Sequence, residues 1–214
     1  MKLEKSDKII FFGDSITWAA KLKESGEGAP ANNPFGSGFV SLFNAYMTIH
    51  YPTLNLRIIN KGISGDRSID LLNRIEEDVI SYKPNWMVLM IGVNDAWRQF
   101  DSGQIDSFLI SNDVYKHNVE KIISFCLKAN INILICSPFM VETNKKDPLR
   151  VKLDEYTNIL KELVSKYQLI YADIQGAYDK LLKKIPPYTM SNDRIHVNYT
   201  GHMIIMEEIV KAFK

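Results

Sequence analysis

Five short apolar runs, each separated from the next by a longer amphipathic stretch, constrain the fold of this chain more than any other feature. Most of the runs are continuously apolar instead of alternating, which is typical of strands buried on both faces of a parallel sheet. They span Lys8–Phe12, Asn55–Asn60, Trp86–Ile91, Ile131–Cys136 and Leu169–Asp173. We therefore expect a parallel sheet of five strands.

The stretches between these runs carry apolar residues three and four positions apart, the spacing of a helix with one buried face. The predicted helices span Gly38–Tyr51, Ser68–Tyr82, Asn112–Ala129, Arg150–Tyr167, Gly176–Lys183 and Thr200–Phe213. Strands that alternate with helices form right-handed βαβ crossovers, which place helices on both faces of the sheet. The sequence therefore predicts an α/β fold, a three-layer α/β/α sandwich, with residues 1–214 in a single domain.

Charge and composition exclude several classes of partner. The 26 basic and 25 acidic residues leave a net charge of +1, so no strong field attracts nucleic acid or an anionic membrane. The longest apolar run, Trp86–Val93, is too short to span a bilayer, and the polar N-terminus lacks the apolar core of a signal peptide. Cys126 and Cys136 fall in a predicted helix and strand, where free buried thiols are expected. We therefore expect a cytoplasmic protein without a nucleic-acid or membrane partner.

Three predicted loops mark the edge of the sheet where chemistry is expected. In open α/β sheets, ligands bind beyond the carboxyl ends of the strands. The loops span Trp18–Ser37, Pro138–Pro148 and Ile185–Arg194. Loops of such length in a compact domain are commonly functional.

Ser15 follows the first predicted strand directly, in the run Gly13-Asp14-Ser15. Gly13 permits a tight turn that would present the serine hydroxyl at the start of a helix. The free backbone N–H groups there can hold a developing anion. A serine at this point can equally serve only as a helix N-cap.

His196 is the candidate base among four histidines. His50 and His117 fall within predicted helices, and His202 is predicted to be a packing residue of the last helix. His196 lies in the loop before that helix, three residues after Asp193. A carboxylate at this spacing can curl back to the ring Nδ1–H, which fixes the tautomer and stabilises the imidazolium.

Two further segments supply candidate hydrogen-bond donors for an oxyanion. Asn94 follows the third predicted strand, and its side-chain amide can donate to a tetrahedral intermediate. Gly65 follows the second strand, and a glycine lets a backbone N–H approach the site closely. Either segment alone is an ordinary turn. Together with Ser15 and the Asp193–His196 pair, they would meet at one edge of one sheet.

These four segments resemble the sequence blocks of the SGNH (GDSL-type) hydrolases, in their order and approximate separation. The segments are Gly13-Asp14-Ser15, Ser64-Gly65-Asp66, Gly92-Val93-Asn94-Asp95 and Asp193-Arg194-Ile195-His196. The resemblance covers nearly the whole chain. It implies a flavodoxin-like sandwich with a five-stranded parallel sheet, in agreement with the strand count.

The resemblance also implies a role for each residue at the site. Ser15 would be the nucleophile, His196 the general base and Asp193 its partner. The Ser15 N–H, the Gly65 N–H and the Asn94 side chain would form the oxyanion hole. The implied activity is that of a serine esterase that works through an acyl-enzyme, without a metal or cofactor; the chain also lacks a His-Glu-x-x-His motif and any clustered Cys/His spacing.

Within the family, two segments are similar to a bacterial branch of acetylxylan esterases, which remove acetyl groups from xylo-oligosaccharides. They span Asn60–Gly65 and Ile91–Phe100. The chain departs from that branch at Asn192, where a tryptophan is expected, and at Val197, where a proline commonly follows the histidine. The departures leave the catalytic groups intact and bear on the pocket for the acyl acceptor.

The expected partner is therefore a small-molecule ester, with an acetylated sugar as the favoured substrate. Candidate substrate-binding residues are Asp14, Trp97 and Arg98. Trp97 could offer a flat face to a sugar ring and Arg98 could bind hydroxyl or carboxylate groups, although both can equally be structural.

One alternative activity, one alternative class of protein and the state of assembly stay to be considered. A lysophospholipase, thioesterase or arylesterase of the same family would use the same catalytic groups with a longer acyl pocket. A flavodoxin-like domain that only binds a ligand is disfavoured, because the chain keeps Ser15, Asn94 and His196 together. Assembly into a homo-oligomer is compatible with either function.

Overall fold

The computed structural model describes residues 1–21, 34–100 and 110–214. Five parallel strands form one sheet in the order β2-β1-β3-β4-β5. The strands are β1 (Lys8–Gly13), β2 (Arg57–Gly62), β3 (Trp86–Met90), β4 (Asn132–Cys136) and β5 (Ile170–Ala172). The predicted five-stranded parallel sheet is confirmed, and the chain reverses its direction of winding between β1 and β3.

Helices cover both faces of this sheet. They are α1 (Ser15–Trp18), α2 (Phe39–His50), α3 (Ser68–Asp78), α4 (Val93–Trp97), α5 (Asn112–Lys128), α6 (Pro148–Tyr167), α7 (Ile174–Leu181) and α8 (Tyr199–Phe213). Helix α5 packs between α3 and α6, whereas α8 packs between α2 and α7. These two sets form the outer layers, so the predicted α/β/α sandwich is confirmed.

The central strands are apolar on both sides because both sides are covered. All residues of β3 are buried, as are all but the first residue of β1 and of β4. Phe11 of β1 meets Phe39 and Phe43 of α2 edge-on, with ring centroids 5.7 and 5.2 Å apart. Burial of such rings and aliphatic chains supplies most of the favourable free energy of folding.

Several predicted boundaries of strands and helices are wrong by two to four residues. β2 begins two residues later than predicted because Asn55 has a left-handed φ of +44° at the end of a 3₁₀ turn. The helix predicted to reach Tyr82 ends at Asp78, and a separate 3₁₀ turn follows. Helix α7 begins two residues earlier than predicted, since the Asp173 carboxylate caps it by accepting the Gly176 N–H.

Other predictions concern loops, thiols and membrane segments. The loops at 138–148 and 185–194 lie within the described residues, whereas most of the predicted loop 18–37, from 22 to 33, lies outside them. Cys126 and Cys136 are buried and unpaired, as predicted, and burial raises the pKa of the Cys126 thiol to about 12. Among the described residues, no helix is both long enough and apolar enough to cross a membrane.

A buried arginine joins α6 to α7. The Arg150 side chain is only 3% exposed. Its Nη1 and Nη2 donate to the two carboxylate oxygens of Asp179 at 2.8 and 2.7 Å, and its Nε donates to Asp154 at 2.9 Å. Removing Arg150 would leave the largely shielded Asp179 carboxylate with only Lys145 and Gln175 as partners, which is destabilising.

We therefore predict that Arg150→Met lowers the free energy of unfolding by about 2–4 kcal/mol. The matched control is Lys116→Met, which breaks the exposed ion pair with Glu162 and is expected to leave the free energy of unfolding nearly unchanged. Urea unfolding of both variants gives the two values. Equal losses in the two variants would contradict the role of Arg150 in joining the helices.

Candidate active site

The first three strands of the sheet end at the same level. Gly13, the last residue of β1, pairs with Gly62 of β2 on one side and with Met90 of β3 on the other. A side chain at Gly13 would lie 2.4 Å from the Met90 carbonyl oxygen, and one at Gly62 would lie 2.2 Å from the Trp18 amide nitrogen. The two glycines thus allow the segments that follow the strands to pack closely together.

Ser15 is the first residue of α1 and is half-buried. The cap of this helix is Asp14, whose Oδ1 accepts the Ile16 N–H at 3.0 Å. The alternative in which Ser15 itself caps the helix is therefore wrong. Asp14, which the sequence offers as a possible substrate-binding residue, is buried.

A continuous set of hydrogen bonds links Ser15 to His196 and Asp193. The Ser15 Oγ lies 3.0 Å from the His196 Nε2, and the His196 Nδ1 lies 2.6 Å from the Asp193 Oδ2. The second oxygen of the carboxylate accepts the backbone N–H groups of Ile195 and His196 at 2.9 and 2.7 Å. The sequence-predicted serine, histidine and aspartate are thus brought together, although 181 positions separate Ser15 from His196.

The turn that carries Asp193 and His196 depends on the residue that follows Asp193. Arg194 has a left-handed φ of +69°, a conformation that is unfavourable for a residue with a side chain. Its guanidinium donates to Glu142 at 3.1 Å and to Asp147 at 2.8 Å. These two ion pairs hold the turn against the segment that follows β4.

Asp193 stays ionised over the whole neutral range. Partial burial alone would raise its pKa, but the hydrogen bond from the His196 ring and those from the Ile195 and His196 N–H groups outweigh it, and the pKa falls to about 2. A carboxylate in this state can orient the imidazole and stabilise its cation.

The two predicted donor segments arrive from the neighbouring strands. Asn94 lies in the first turn of α4, a helix that the sequence did not predict, and its Nδ2 donates to the Asp66 carbonyl oxygen at 2.9 Å. That contact uses one of the two amide hydrogens of Asn94. Gly65 precedes Asp66 and has a left-handed φ of +89°, which favours glycine.

Trp97 and Arg98 both border the site. The Trp97 ring lies 5.9 Å from the His196 ring, at an interplanar angle of 56°. The Arg98 Nη2 donates to the Gly65 carbonyl oxygen over a long 3.4 Å. The two side chains therefore flank His196 and the Gly65 segment.

The other three histidines and the two positions that depart from the acetylxylan esterase pattern make no hydrogen bond to Ser15, His196 or Asp193 among the contacts described above. His202 is buried in α8 and stacks on Phe39, as a packing residue would, and burial lowers its pKa to about 4. His50 and His117 lie on α2 and α5. Asn192 is exposed, whereas Val197 is half-buried against Gly201. Among the residues that the structure describes, His, Cys, Asp and Glu side chains form no group suited to a metal ion.

Sequence reasoning missed a buried polar network beneath Asn94. The Asp95 carboxylate accepts both the backbone N–H and the hydroxyl of Ser68, and the Ser68 hydroxyl accepts the Asn118 amide at 3.1 Å. The network connects α3, α4 and α5. Its only signal in the sequence is the aspartate that directly follows Asn94. Burial raises the pKa of Asp95 to about 6.

Asp14 is the second buried carboxyl under the site. Burial raises its pKa from 3.8 to about 7, the hydrogen bond from the Ile16 N–H opposes this rise, and the charge of Asp95 adds to it. Two carboxyls with raised pKa values thus lie in the protein beneath the Ser15 and Asn94 segments.

Residues 11–204 match the model of the GDSL-like lipase/acylhydrolase family. The chain belongs to this family. The acetylxylan esterase of Geobacillus stearothermophilus is 34% identical over 211 residues, which cover 99% of this chain and 95% of that protein. The predicted family and the ester-hydrolase class are therefore confirmed.

Two solved structures agree with the fold. The crystal structure of the Geobacillus stearothermophilus acetylxylan esterase matches with a TM-score of 0.93 at 34% identity, over 100% of this chain and 96% of that chain. An alpha/beta hydrolase enzyme from the metagenome of Lake Arreo, Spain, matches with a TM-score of 0.94 at 32% identity, over 100% of this chain and 97% of that chain. Both comparisons extend over the whole sandwich.

The raised pKa of Asp14 predicts how the stability of this GDSL-like hydrolase depends on pH. Between about pH 4 and about pH 7 the folded state holds a proton on Asp14 that the unfolded state releases, so the associated stability is lost as the pH rises. Asp14→Asn keeps a capping oxygen and removes the titration.

We expect the free energy of unfolding of the wild type to fall by about 1–2 kcal/mol more than that of Asp14→Asn between about pH 5 and about pH 7. Urea unfolding at a series of pH values measures both slopes. Identical slopes would show that Asp14 is ionised across this range.

Proposed function

We propose that this protein is a serine esterase that removes short acyl groups, acetyl in particular, from carbohydrates such as xylo-oligosaccharides. The observation that carries the proposal is the hydrogen-bonded series from the Ser15 hydroxyl through His196 to Asp193, with contacts of 3.0 and 2.6 Å. This is the arrangement that activates a serine for attack on a carbonyl carbon.

The first half of the reaction acylates Ser15. The Oγ attacks the ester carbonyl while the His196 Nε2 takes its proton, and Asp193 stabilises the imidazolium through Nδ1. The tetrahedral intermediate collapses, and His196 returns the proton to the departing alcohol. The low pKa of Asp193 supports this assignment, because its carboxylate is ionised whenever His196 becomes charged.

The second half releases the acid. A water molecule gives a proton to His196 and attacks the acyl-enzyme, and the intermediate expels the Ser15 oxygen, which recovers its proton from His196. Every proton transfer in the two halves is assigned to one histidine, so the scheme uses neither a metal nor a cofactor.

Three donors are proposed for the oxyanion. The Ser15 N–H lies at the start of α1, where backbone N–H groups lack acceptors within the helix. Asn94 keeps one amide hydrogen beyond its bond to Asp66. The Gly65 N–H is the third, on the segment after β2, where the Ile63 N–H donates to the Gly13 carbonyl oxygen at 3.1 Å. Such donors act on charge that develops only in the transition state.

The relative from Geobacillus stearothermophilus supports both the residues and the substrate. It is an acetylxylan esterase, and its solved structures include catalytic mutants in which a serine, an aspartate or a histidine is replaced by alanine. Those three residue types are the ones linked by hydrogen bonds in this chain. The rim formed by half-buried Trp97 and exposed Arg98 suits a sugar, because an aromatic face packs on the ring and a guanidinium binds hydroxyl groups.

We also propose that residues 1–214 form one domain that works in a reducing cytoplasm. The Lys2 N–H donates to the Phe213 carbonyl oxygen at 2.7 Å, which ties the first residues to the last helix. The two buried, unpaired cysteines suit a compartment where thiols stay reduced.

The substrate is tested by hydrolysis of acetylated xylo-oligosaccharides and, in parallel, of acetyl and octanoyl aryl esters. We expect fast acetate release from the sugar and poor turnover of the octanoyl ester. Good octanoyl turnover with an inert sugar would move the substrate to lipids or thioesters. Ser15→Ala is expected to stay folded and to lose activity by at least about 1,000-fold, and substantial residual turnover would remove Ser15 as the nucleophile.

The oxyanion assignment of Asn94 is tested separately. We predict that Asn94→Ala lowers kcat by about 100-fold and changes KM by less than about threefold, because the donor acts on the transition state. Asn118→Ala is the matched control, since it removes a buried amide that contacts Ser68 instead of the reacting centre. A loss confined to KM, or an equal loss in the control, would contradict the assignment.

A further inference from the structure

Arg74 reaches from α3 to the ends of two strands of the sheet. Its Nη2 donates to the Gly13 carbonyl oxygen at 3.2 Å, and its Nη1 donates to the Lys61 carbonyl oxygen at 2.9 Å. The guanidinium carbon lies 4.4 Å from the centre of the Phe12 ring. Gly13 is the last residue of β1 and Lys61 is the next-to-last residue of β2. The guanidinium therefore bridges the two strands where the Ser15 and Gly65 segments leave the sheet.

The same guanidinium binds two carboxylates. The Arg74 Nε donates to Asp66 at 2.8 Å, and the Nη1 donates to Asp78 at 2.7 Å. The two carboxylate side chains are equally shielded, with 14% and 16% of their surface exposed. Burial raises the pKa of Asp66 although Arg74 opposes it, whereas the bonds from Arg74 and Lys61 outweigh burial and lower the pKa of Asp78.

Only one of these two aspartates, Asp66, is connected to the proposed oxyanion donors. Asp66 directly follows Gly65, and the Asp66 carbonyl oxygen accepts the Asn94 side-chain amide at 2.9 Å. Asp78 lies at the other end of α3 and pairs with Lys61 at 3.0 Å. A shift of Asp66 would therefore move the Gly65 N–H and the Asn94 amide together, whereas a shift of Asp78 would move neither.

We propose that Arg74 is a positioning residue for the oxyanion hole, acting through Asp66. The inference rests on the proposed esterase function and adds the device that sets the three donors relative to one another. The guanidinium holds the strand end that precedes Ser15, and through the Asp66 carboxylate it holds the loop that carries Gly65 and anchors Asn94. An arginine suits this place because its planar fork can bind several acceptors at once, whereas a lysine ammonium is a single point charge.

The decisive comparison is between Asp66→Ala and Asp78→Ala, each of which removes one carboxylate from Arg74. Steady-state hydrolysis of an acetyl aryl ester gives kcat and KM, and thermal unfolding gives Tm for each protein. Asp66→Ala is expected to lower kcat about tenfold with KM changed less than about twofold, because displaced donors weaken the transition state alone. Asp78→Ala is expected to keep kcat within about twofold of the wild type, although it loses a second ion pair with Lys61.

Two further variants keep the test sharp if Asp66→Ala folds poorly. Arg74→Lys keeps the charge and loses the fork, and it is expected to lower kcat about tenfold with KM nearly unchanged. In an Asn94→Ala background, Asp66→Ala should cost less than about threefold, because one of the donors that it positions is already gone.

Three outcomes would overturn the inference: a kcat for Asp66→Ala within about twofold of the wild type, an equal loss of kcat in Asp78→Ala, or full additivity with Asn94→Ala. A wild-type protein without esterase activity is a different result. It would refute the proposed function before any variant is compared.

Discussion

The parallel register of β1 with its two neighbours is the constraint on which the site depends. Gly13 stands beside both Gly62 and Met90, so three strands end at one level and release their following segments at one place. A shift of one residue in either ladder would turn every side chain of that strand to the opposite face. The apolar residues that fill both faces of the sheet therefore also set the separations among the Ser15, Gly65 and Asn94 segments. Burial of the core and alignment of the site are consequences of the same pairing.

His196 comes from near the C-terminus and is brought beside Ser15 by a turn that is not part of the sheet. The Asp193 carboxylate binds both the His196 ring and the backbone of the turn, and Arg194 adopts a left-handed conformation to make that possible. Ion pairs from Arg194 to Glu142 and Asp147 connect that turn to the loop after β4. His196 is thus positioned by local turn geometry and by the loop after β4, whereas Ser15 is positioned by the sheet.

The sequence was sufficient for features that depend on periodicity and on short motifs. The layers of the sandwich follow from continuous apolar runs between amphipathic helices, and Ser15, Asn94 and the Asp193–His196 pair follow from their places after strands or before α8. The burial of Asp14, by contrast, depends on how α1 sits over β1, which no local pattern encodes. The contacts of Arg74 could not be predicted either, because its acceptors include carbonyl oxygens of two strands and a carboxylate eight residues away. Long-range hydrogen bonds to backbone groups leave no trace in composition or spacing.

The open setting of His196 and Asp193 bears on what the acyl-enzyme can react with. Their side chains are 49% and 42% exposed, so solvent reaches the imidazole. Under the proposed mechanism, water would reach an acyl group on Ser15 beside this exposed histidine, and a sugar alcohol would compete with it by binding next to Trp97. The time that an acceptor resides there would then set the partition between hydrolysis and acyl transfer to a second sugar. The catalytic groups themselves do not discriminate between the two nucleophiles.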